Sequence, residues 1–289
     1  MVNKSGFTKY SRTGSAIVKG TIALKRFSIP YRIYESDGPH IICLNGVQQS
    51  MAMWHTFVEH YSAHYRIVLF DFPNQGKGKV SAGPKLVTLD EQVDILREVI
   101  KATGTNNSVS LCSASWGGII AMAFAAKHPG QVKQLCLASL GTKANETMVE
   151  TIKQGLAVDP KNRQKMADIL IDSFGQNLPE NIKNKIIGQF QSMSQENLDA
   201  FYEHGLAVLS AKKIDDLIKL SDIREKTFLI YGEKDTIIDL DDVKFLCSQI
   251  PHCEVKTIKG AGHFLHMEEL NILDIYADIL PVPPHSEKS

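Results

Sequence analysis

Short apolar runs alternate with amphipathic stretches through the first half of the chain. Each run is four to seven residues long, which is the length of a buried strand. Strands that are apolar on both faces and alternate with helices predict a mostly parallel sheet covered by helices on both sides, an α/β fold. The runs are HIICL at 40–44, YRIVLF at 65–70, VSLC at 109–112 and VKQLCLA at 132–138.

The helix predicted over 88–103 has the clearest boundaries. Thr88 and Glu91 form a capping box at its start, and Gly104 follows its last turn. Two β-rich segments precede the alternation of strands and helices, and we predict that they form an antiparallel pair. They are Ile22–Phe27 and Pro30–Tyr34. Further helices are predicted over 51–61 and 117–127.

The alternation stops between residues 143 and 225, where only amphipathic helical patterns occur, such as 163–174 and 197–209. It returns with a strand at 227–231, a helix at 240–249, a strand at 253–258 and a helix at 267–280. We therefore predict one core formed by residues 15–142 and 226–281. A helical lid, residues 143–225, is inserted into this core, and the tail 282–289 is predicted to be disordered.

Composition excludes several classes of protein. Apolar residues make up 43% of the 289 residues, enough for a sizeable core. Lys plus Arg and Asp plus Glu number 32 each, so the basic excess of a nucleic-acid-binding domain is missing. No apolar run approaches the ~20 residues of a membrane span, and the first 15 residues contain no apolar stretch of the length expected of a signal peptide. The five cysteines are odd in number and none has CxxC spacing, which predicts buried free thiols and a cytoplasmic location.

The sequence SASWGG at 113–118 lies between a buried strand and an Ala-rich helix. A nucleophile elbow needs this context, because a tight strand-to-helix turn lifts one side chain above the sheet. The usual pattern is GxSxG, and here Ser113 replaces the first glycine while Gly117 supplies the second. Ser115 is therefore the predicted nucleophile.

The partners of this serine follow in the order that the fold requires: nucleophile, acid, histidine. Asp235 comes shortly after the strand TFLIY, and His263 comes after the next strand. The carboxyl ends of parallel strands share one edge of a sheet, so all three side chains are predicted to converge there. His263 would act as the base that activates Ser115, and Asp235 would orient the imidazole.

An oxyanion formed during acyl transfer needs two N–H donors. One is predicted to be the backbone N–H of Trp116, directly after the nucleophile. The other is predicted in the loop after HIICL, within Asn45, Gly46 and Val47, with Val47 favoured.

Other interpretations of the same residues remain open. Asp239, Asp241 and Asp242 are rival acids, although they suit the first turn of the next helix, where the helix dipole favours carboxylates. His263 and His266 have HxxH spacing, but a third metal ligand is missing, so no metal site and no cofactor are expected. Asp71 follows a strand and is interpreted as structural.

Four segments, FDFPNQGKG, SASWGG, GEKD and GAGHF, resemble the α/β-hydrolase superfamily over essentially the whole sequence except the lid. A closer resemblance is to the bacterial rhamnosyltransferase A-chain family. It is carried by CLNGV, VLFDFPNQG, SASWGGI, IPHCEV and GAGHFLHMEE. The SASWGG elbow, with serine in place of the first glycine, is its most specific segment.

This resemblance implies an acyltransferase that couples two 3-hydroxyacyl chains, delivered as thioesters of acyl carrier protein or coenzyme A. The product would be a 3-(3-hydroxyalkanoyloxy)alkanoic acid, and a glycosyltransferase partner would fit the same pathway. Ser115 would hold the first acyl group as an ester, and His263 would deprotonate the hydroxyl of the second. The lid would set chain length. There are two alternatives. One is a carboxylesterase or thioesterase, and the other is a non-catalytic binding protein on the same fold.

Overall fold

One mixed β-sheet runs through the molecule. The computed structural model describes residues 2–10 as backbone, and residues 15–105, 108–210, 213–268 and 272–282 in full. Within these residues the sheet has ten strands, in the order β1-β2-β3-β5-β4-β7-β8-β9-β10, and β6 pairs with β3. The strands are β1 (Val2–Tyr10), β2 (Ala16–Ala23), β3 (Phe27–Tyr34), β4 (His40–Leu44), β5 (Arg66–Phe70), β6 (Lys79–Val80), β7 (Val109–Ala114), β8 (Val132–Ala138), β9 (Lys226–Gly232) and β10 (Cys253–Ile258).

The strands from β5 to β10 in this order are parallel, and β1, β2 and β3 are antiparallel. Helices cover both faces. The helices are α1 (His55–Tyr61), α2 (Leu89–Ala102), α3 (Trp116–Lys127), α4 (Glu146–Ala157), α5 (Arg163–Phe174), α6 (Glu180–Ser192), α7 (Gln195–Ser210), α8 (Ile214–Leu217), α9 (Leu240–Ser248) and α10 (Ile272–Ile279), with short 3-10 helices at Met51–Trp54 and Leu220–Asp222.

Two hydrophobic clusters hold the layers together, one on each face of the sheet. Helices α2, α3 and α9 contribute to the larger cluster, for example through Leu96, Phe124 and Leu246. Helices α1 and α10 contribute to the other, for example through Tyr61 and Tyr276. The predicted α/β fold, a mostly parallel sheet with helices on both faces, is confirmed.

Helices α4 to α8 lie between β8 and β9 in the sequence, although these two strands are hydrogen-bonded neighbours in the sheet. Four buried side chains from α5, α6 and α7 form a small cluster of their own, Met166, Ala167, Phe190 and Leu198. We call helices α4 to α8 the inserted helices. None of the helices in the described ranges is long and apolar enough to cross a membrane.

The N-terminal hairpin differs from the sequence prediction. The predicted strand Ile22–Phe27 spans a turn, in which the Leu24 N–H donates to the Phe27 carbonyl at 2.9 Å. The second strand instead begins at Phe27, and its buried side chains alternate from Phe27 to Ile33. This period of two continues through Pro30, which the prediction had treated as a boundary. Strand β1 was not predicted, because its polar residues give no apolar signal.

Two of the cysteines correct another prediction. Cys247, at the end of α9, and Cys253, at the start of β10, form a disulfide with their Cα atoms 5.3 Å apart. The tight connection between these elements brings the two Cα atoms within disulfide range. Five free thiols were predicted, and this is wrong for the pair. Cys43, Cys112 and Cys136 are free and buried. The cytoplasmic location stays a prediction.

The C-terminal helix is shorter than predicted. It covers Ile272–Ile279 instead of 267–280, and Met267 and Glu268 lie in a turn before it. Residues 269–271 lie outside the described residues, as does the predicted disordered tail except for Val282.

Candidate active site

Ser115 occupies a sharp turn between β7 and α3. Its backbone has φ 47° and ψ −120°, a combination that non-glycine residues rarely adopt and that a nucleophile elbow imposes. Its N–H donates to the Ala138 carbonyl at 2.8 Å, and its carbonyl accepts from Gly118 at 2.8 Å. A Cβ atom at Gly117 would lie 2.6 Å from the Leu44 carbonyl oxygen, so this position requires glycine. Ser113 is completely buried in the place of the usual first glycine.

Asp235 and His263 form a buried pair beside this turn. His263 Nδ1 lies 2.8 Å from Asp235 Oδ2, and the Asp235 side chain has no exposed surface. The other carboxylate oxygen of Asp235 accepts backbone N–H bonds from Ile237 and Ile238 at 3.0 and 3.1 Å. Three hydrogen bonds therefore fix the carboxylate, which in turn fixes the orientation of the imidazole.

The rival acids lie away from His263. Asp239 accepts from Asn145 Nδ2 at 3.0 Å, and Asp242 binds Thr142. Asp241 is 98% exposed and faces Lys244. Asp235 is therefore the carboxylate that the structure brings to the imidazole.

The loops that carry Asp235 and His263 are joined by backbone hydrogen bonds. Glu233 N–H donates to the Ile258 carbonyl at 3.0 Å, and Lys234 N–H donates to the Ala261 carbonyl at 2.7 Å. The two backbones approach so closely that a Cβ atom at Gly232 would lie 2.1 Å from the Gly262 carbonyl oxygen. The glycine that ends β9 thus permits the acid and the histidine to meet.

Ser115 and His263 border the same cavity, which lies between the sheet edge and the inserted helices. Its volume is about 940 Å³, including the part that is open to solvent. The inserted helices supply an apolar wall, and a series of methylene groups would match it. This wall includes Met148, Ile152, Leu156, Met166, Ile169, Leu170, Phe174, Phe201 and Val208.

The loop after β4 approaches Ser115 from the other side. Gly46 and Val47 line the cavity, and the Gly46 N–H donates to Gln49 Oε1 at 2.8 Å. Asn45, predicted at the site, is instead completely buried beneath the loop. Its side chain donates to Asp71 Oδ1 at 3.3 Å and accepts from the Trp54 indole at 2.9 Å.

Asp71 fixes the same region from below. It accepts backbone N–H bonds from Met51 at 2.7 Å and Lys77 at 3.0 Å, besides the bond from Asn45. Burial raises the pKa of the Asp71 carboxyl, and these donors oppose that shift. Its contacts agree with the structural role predicted for it.

A sequence profile described as the alpha/beta hydrolase fold matches residues 39–171 and 171–270. The chain belongs to the α/β-hydrolase fold family. An (R)-3-hydroxydecanoyl-ACP:CoA transacylase of Pseudomonas putida (strain KT2440) is 24% identical over 247 residues, covering 84% of this chain and 83% of that protein. Monoacylglycerol lipase ABHD6 of Homo sapiens is also 24% identical, over 84% of this chain and 75% of that protein.

Among solved structures, a 2-hydroxy-6-oxo-6-phenylhexa-2,4-dienoate hydrolase from Rhodococcus sp. strain RHA1 superposes with a TM-score of 0.75. It is 13% identical and covers 91% of this chain and 97% of that one, a likeness of fold alone. The resemblance to the α/β-hydrolase superfamily and, within it, to the rhamnosyltransferase A-chain family, stated from the motifs, is confirmed. Relatives with enzyme names support an enzyme here too.

Glu268 and Ser139 hold the loop that carries His263 in this α/β hydrolase, and the sequence analysis predicted neither. Glu268 accepts the N–H groups of Gly262 at 2.7 Å and Phe264 at 3.1 Å, on either side of the histidine. Burial raises the pKa of Glu268, and the two N–H donors oppose this shift. Ser139 Oγ donates to the His263 carbonyl at 2.6 Å. Ser139 lies in no motif, and Glu268 lies in the segment GAGHFLHMEE, where nothing in the sequence alone shows which side chain holds the loop.

The remaining predicted site residue, Trp116, places its indole outside the main cavity. Its Nε1 donates to Gln92 Oε1 at 2.8 Å. Its backbone N–H, in the first turn of α3, belongs to the four that have no acceptor within a helix. His266, the second histidine of the HxxH spacing, has its Nε2 3.0 Å from the Tyr276 hydroxyl. Burial lowers the pKa of His266 to about 3.

Proposed function

We propose that this α/β hydrolase is a serine-dependent acyltransferase that joins two 3-hydroxyacyl chains, supplied as thioesters of acyl carrier protein or coenzyme A. The observation that carries the proposal is the placement of Ser115 and the Asp235-bound His263 at one apolar cavity. A nucleophile with a general base serves acyl transfer, and an apolar cavity serves an acyl chain.

In the first step His263 Nε2 accepts the proton of the Ser115 hydroxyl while Ser115 Oγ attacks the thioester carbonyl carbon. The resulting tetrahedral intermediate collapses, the carbon–sulfur bond breaks, and the imidazolium returns the proton to the leaving thiolate. Asp235 stabilises the imidazolium, since its carboxylate accepts from Nδ1. The product of this step is the 3-hydroxyacyl ester of Ser115 and a free thiol.

In the second step the thiol has left, and the 3-hydroxyl of another acyl chain is the nucleophile. His263 accepts the proton of this hydroxyl, the hydroxyl oxygen attacks the acyl carbon on Ser115, and the carbon–oxygen bond to the serine breaks. The serine regains the proton from His263. An ester bond between the two acyl chains has formed, and no oxidant, reductant or metal is required.

We assign the oxyanion donors to the backbone N–H groups of Val47 and Trp116. The Gly46 N–H already donates to Gln49, which leaves Val47 as the next donor in that loop. The N-terminal end of α3 adds its partial positive charge at the same place. Loss of one such donor typically costs about 3–4 kcal/mol of transition-state stabilisation.

Hydrolysis is the second candidate, because water can replace the acceptor hydroxyl without any change in the three residues. Relatives named as lipases favour it, while the relatives named as 3-hydroxydecanoyl transacylases favour transfer. A non-catalytic binding protein is the third. The Asp235–His263 hydrogen bond counts against it, since a decayed site has no need of that geometry.

Incubation of the purified protein with 3-hydroxydecanoyl acyl carrier protein distinguishes these functions. Mass spectrometry should find the two-chain ester, whereas free 3-hydroxydecanoic acid as the sole product would identify a hydrolase. Absence of any product, together with no labelling by a fluorophosphonate probe, would leave the binding protein. The Ser115→Ala variant is the control and should lose both the product and the label.

A further inference from the structure

A second, smaller cavity adjoins the main one behind the oxyanion loop. We call it the side cavity; Gln75, Gln92, Trp116, Ala200 and His204 line it together with Val47. Val47 and His204 also line the main cavity. A substrate held at Ser115 therefore has a neighbouring compartment with walls of a different chemistry.

Two polar atoms at the side cavity lack a partner. Gln75 Oε1 and His204 Nε2 are buried and make no hydrogen bond within the described residues. Leaving such an atom unpaired costs free energy, so native proteins leave few of them. Both residues line the side cavity, so a ligand bound there would supply the missing partners.

The neighbouring polar groups are already paired. The Trp116 indole donates to Gln92 Oε1 at 2.8 Å, and Gln92 Nε2 donates to the Val87 carbonyl at 2.9 Å. The His204 ring packs edge-on against Trp116, with centroids 4.7 Å apart. These contacts hold His204 in place, while its Nε2 has no hydrogen-bond partner among the described residues.

The backbone of Gln75 is fixed as well, within the FDFPNQGKG loop. Its backbone N–H donates to the Phe72 carbonyl at 3.1 Å, and its backbone carbonyl accepts from the Gly78 N–H at 2.8 Å. This loop is the sequence segment to which the proposed reaction assigns no task. The Gln75 amide oxygen accepts hydrogen bonds only.

His204 supplies the complementary group. Burial lowers the pKa of its imidazole to about 4, so the ring is neutral near pH 7. A neutral imidazole carries one N–H, and the tautomer with this proton on Nε2 donates into the cavity. The side cavity then presents one acceptor and one donor.

We propose that the side cavity binds the 3-hydroxyl group of the acyl chain on Ser115, an assignment that rests on the proposed function. A hydroxyl donates one hydrogen bond and accepts others, so it would donate to Gln75 Oε1 and accept from His204 Nε2. The hydroxyl carbon is two carbons from the acyl carbonyl, which places it close to the oxyanion donors Val47 and Trp116. Both residues line the side cavity.

The test compares p-nitrophenyl 3-hydroxydecanoate with p-nitrophenyl decanoate, two esters that differ only in this hydroxyl. For the wild type we expect kcat/KM at least about ten-fold higher for the hydroxy ester, since an analogue without the hydroxyl leaves both polar atoms unpaired. The variants His204→Phe and Gln75→Met should bring this ratio close to one. They should do so by slowing the hydroxy ester much more than the decanoate.

Tyr202→Phe is the matched control, because Tyr202 lies on the same helix and lines the main cavity but not the side cavity. Its hydroxyl donates to the Val158 carbonyl at 3.1 Å. Its ratio should equal that of the wild type. His204→Gln, which keeps a donor, should restore part of the preference. Thermal unfolding of His204→Phe should occur at or above the wild-type temperature, since an unpaired buried atom is removed.

Two results would overturn the assignment. An equal loss on both esters would mean that His204 only packs, and wild-type rates on both esters would mean that the side cavity holds solvent. Cleavage of neither ester by the wild type would overturn the proposed function itself and the assignment with it, a result distinct from the other two.

Discussion

The main cavity lies between two unlike regions. On the sheet edge, carboxylates accept several hydrogen bonds each: Asp235 and Asp71 accept three, and Glu268 accepts two. On the wall formed by the inserted helices most side chains are apolar, and His204 Nε2 has no partner within the described part of the sequence.

This difference separates two tasks. Polar groups on the sheet edge are oriented before a substrate arrives, which is the condition for electrostatic stabilisation of a transition state. The helical wall contributes apolar surface and one unpaired polar atom. Both stabilise the protein only when a ligand covers the surface and pairs with the atom. The sheet edge therefore suits the chemistry, and the helices suit selection of the substrate.

The largest effect should come from Asp235→Asn on the sheet edge. The amide no longer stabilises the imidazolium and disturbs the tautomer of His263, so we expect kcat for the 3-hydroxydecanoyl ester to fall about 10³- to 10⁴-fold. Asp241→Asn is the matched control, because this carboxylate is 98% exposed. A silent Asp235→Asn variant would assign the acid to one of the neighbouring aspartates.

A smaller loss should follow from Glu268→Gln. The amide group replaces one of the two acceptors for Gly262 and Phe264, and the His263 loop shifts. We expect kcat to fall about 10- to 100-fold with KM nearly unchanged, as for a misplaced base. Glu233→Gln is the control. The Glu233 carboxylate accepts from the Gly260 N–H, which lies on the exposed part of the same pair of loops. Equal effects of the two variants would contradict a positioning role for Glu268.

The helical wall is tested by Gly155→Leu. Gly155 lines the cavity, and a Cβ atom there meets nothing within 4 Å, so the larger side chain would occupy space for the acyl chain. We expect kcat/KM to fall about ten-fold for decanoyl esters and little for butanoyl esters. Gly188→Leu, a site in α6 that is equally open but away from the cavity, should leave both esters unaffected. A uniform loss over all acyl lengths would argue against this wall as the determinant of acyl length.

The smallest effect concerns stability in acid. Burial lowers the pKa of His204 to about 4 and that of His266 to about 3, so the unfolded chain binds more protons below the usual value of about 6.5. Stability is therefore present above pH 6.5 and is lost as the pH falls towards these values. We expect a lower unfolding temperature at pH 4.5 than at pH 7. His266→Gln should reduce that difference, unlike the exposed His55→Gln.

Much of the fold follows from local patterns. The apolar runs identify β4, β5, β7, β8 and β9, and the Thr88 capping box forms as predicted, with Thr88 Oγ1 3.3 Å from the Glu91 N–H. The missed elements lack such a signal. Strand β1 is polar, and the hairpin places Pro30 inside a strand where a boundary was predicted. The Cys247–Cys253 pair depends on how a helix end meets a strand start.

The candidate site divides in the same way. Ser115, Asp235 and His263 follow strands, and the order of elements brings such positions to one edge of the sheet. Asn45 was selected for its place in the sequence, but its side chain points down to Asp71, which depends on packing between loops. His204 and Glu268 were missed because their importance comes from what surrounds them. His204 Nε2 lacks a hydrogen-bond partner among the described residues, and Glu268 has two such partners.

The direct pairing of β8 with β9 has a consequence for how such proteins change over time. The ladder joins Leu135 to Thr227 and Leu137 to Leu229 without help from the helices that separate these strands in the sequence. A gene segment that encodes those helices could lengthen, shorten or be exchanged, and the two strands would still pair in the sheet. One reaction centre could in this way be inherited intact while descendants diverge in the molecules they accept.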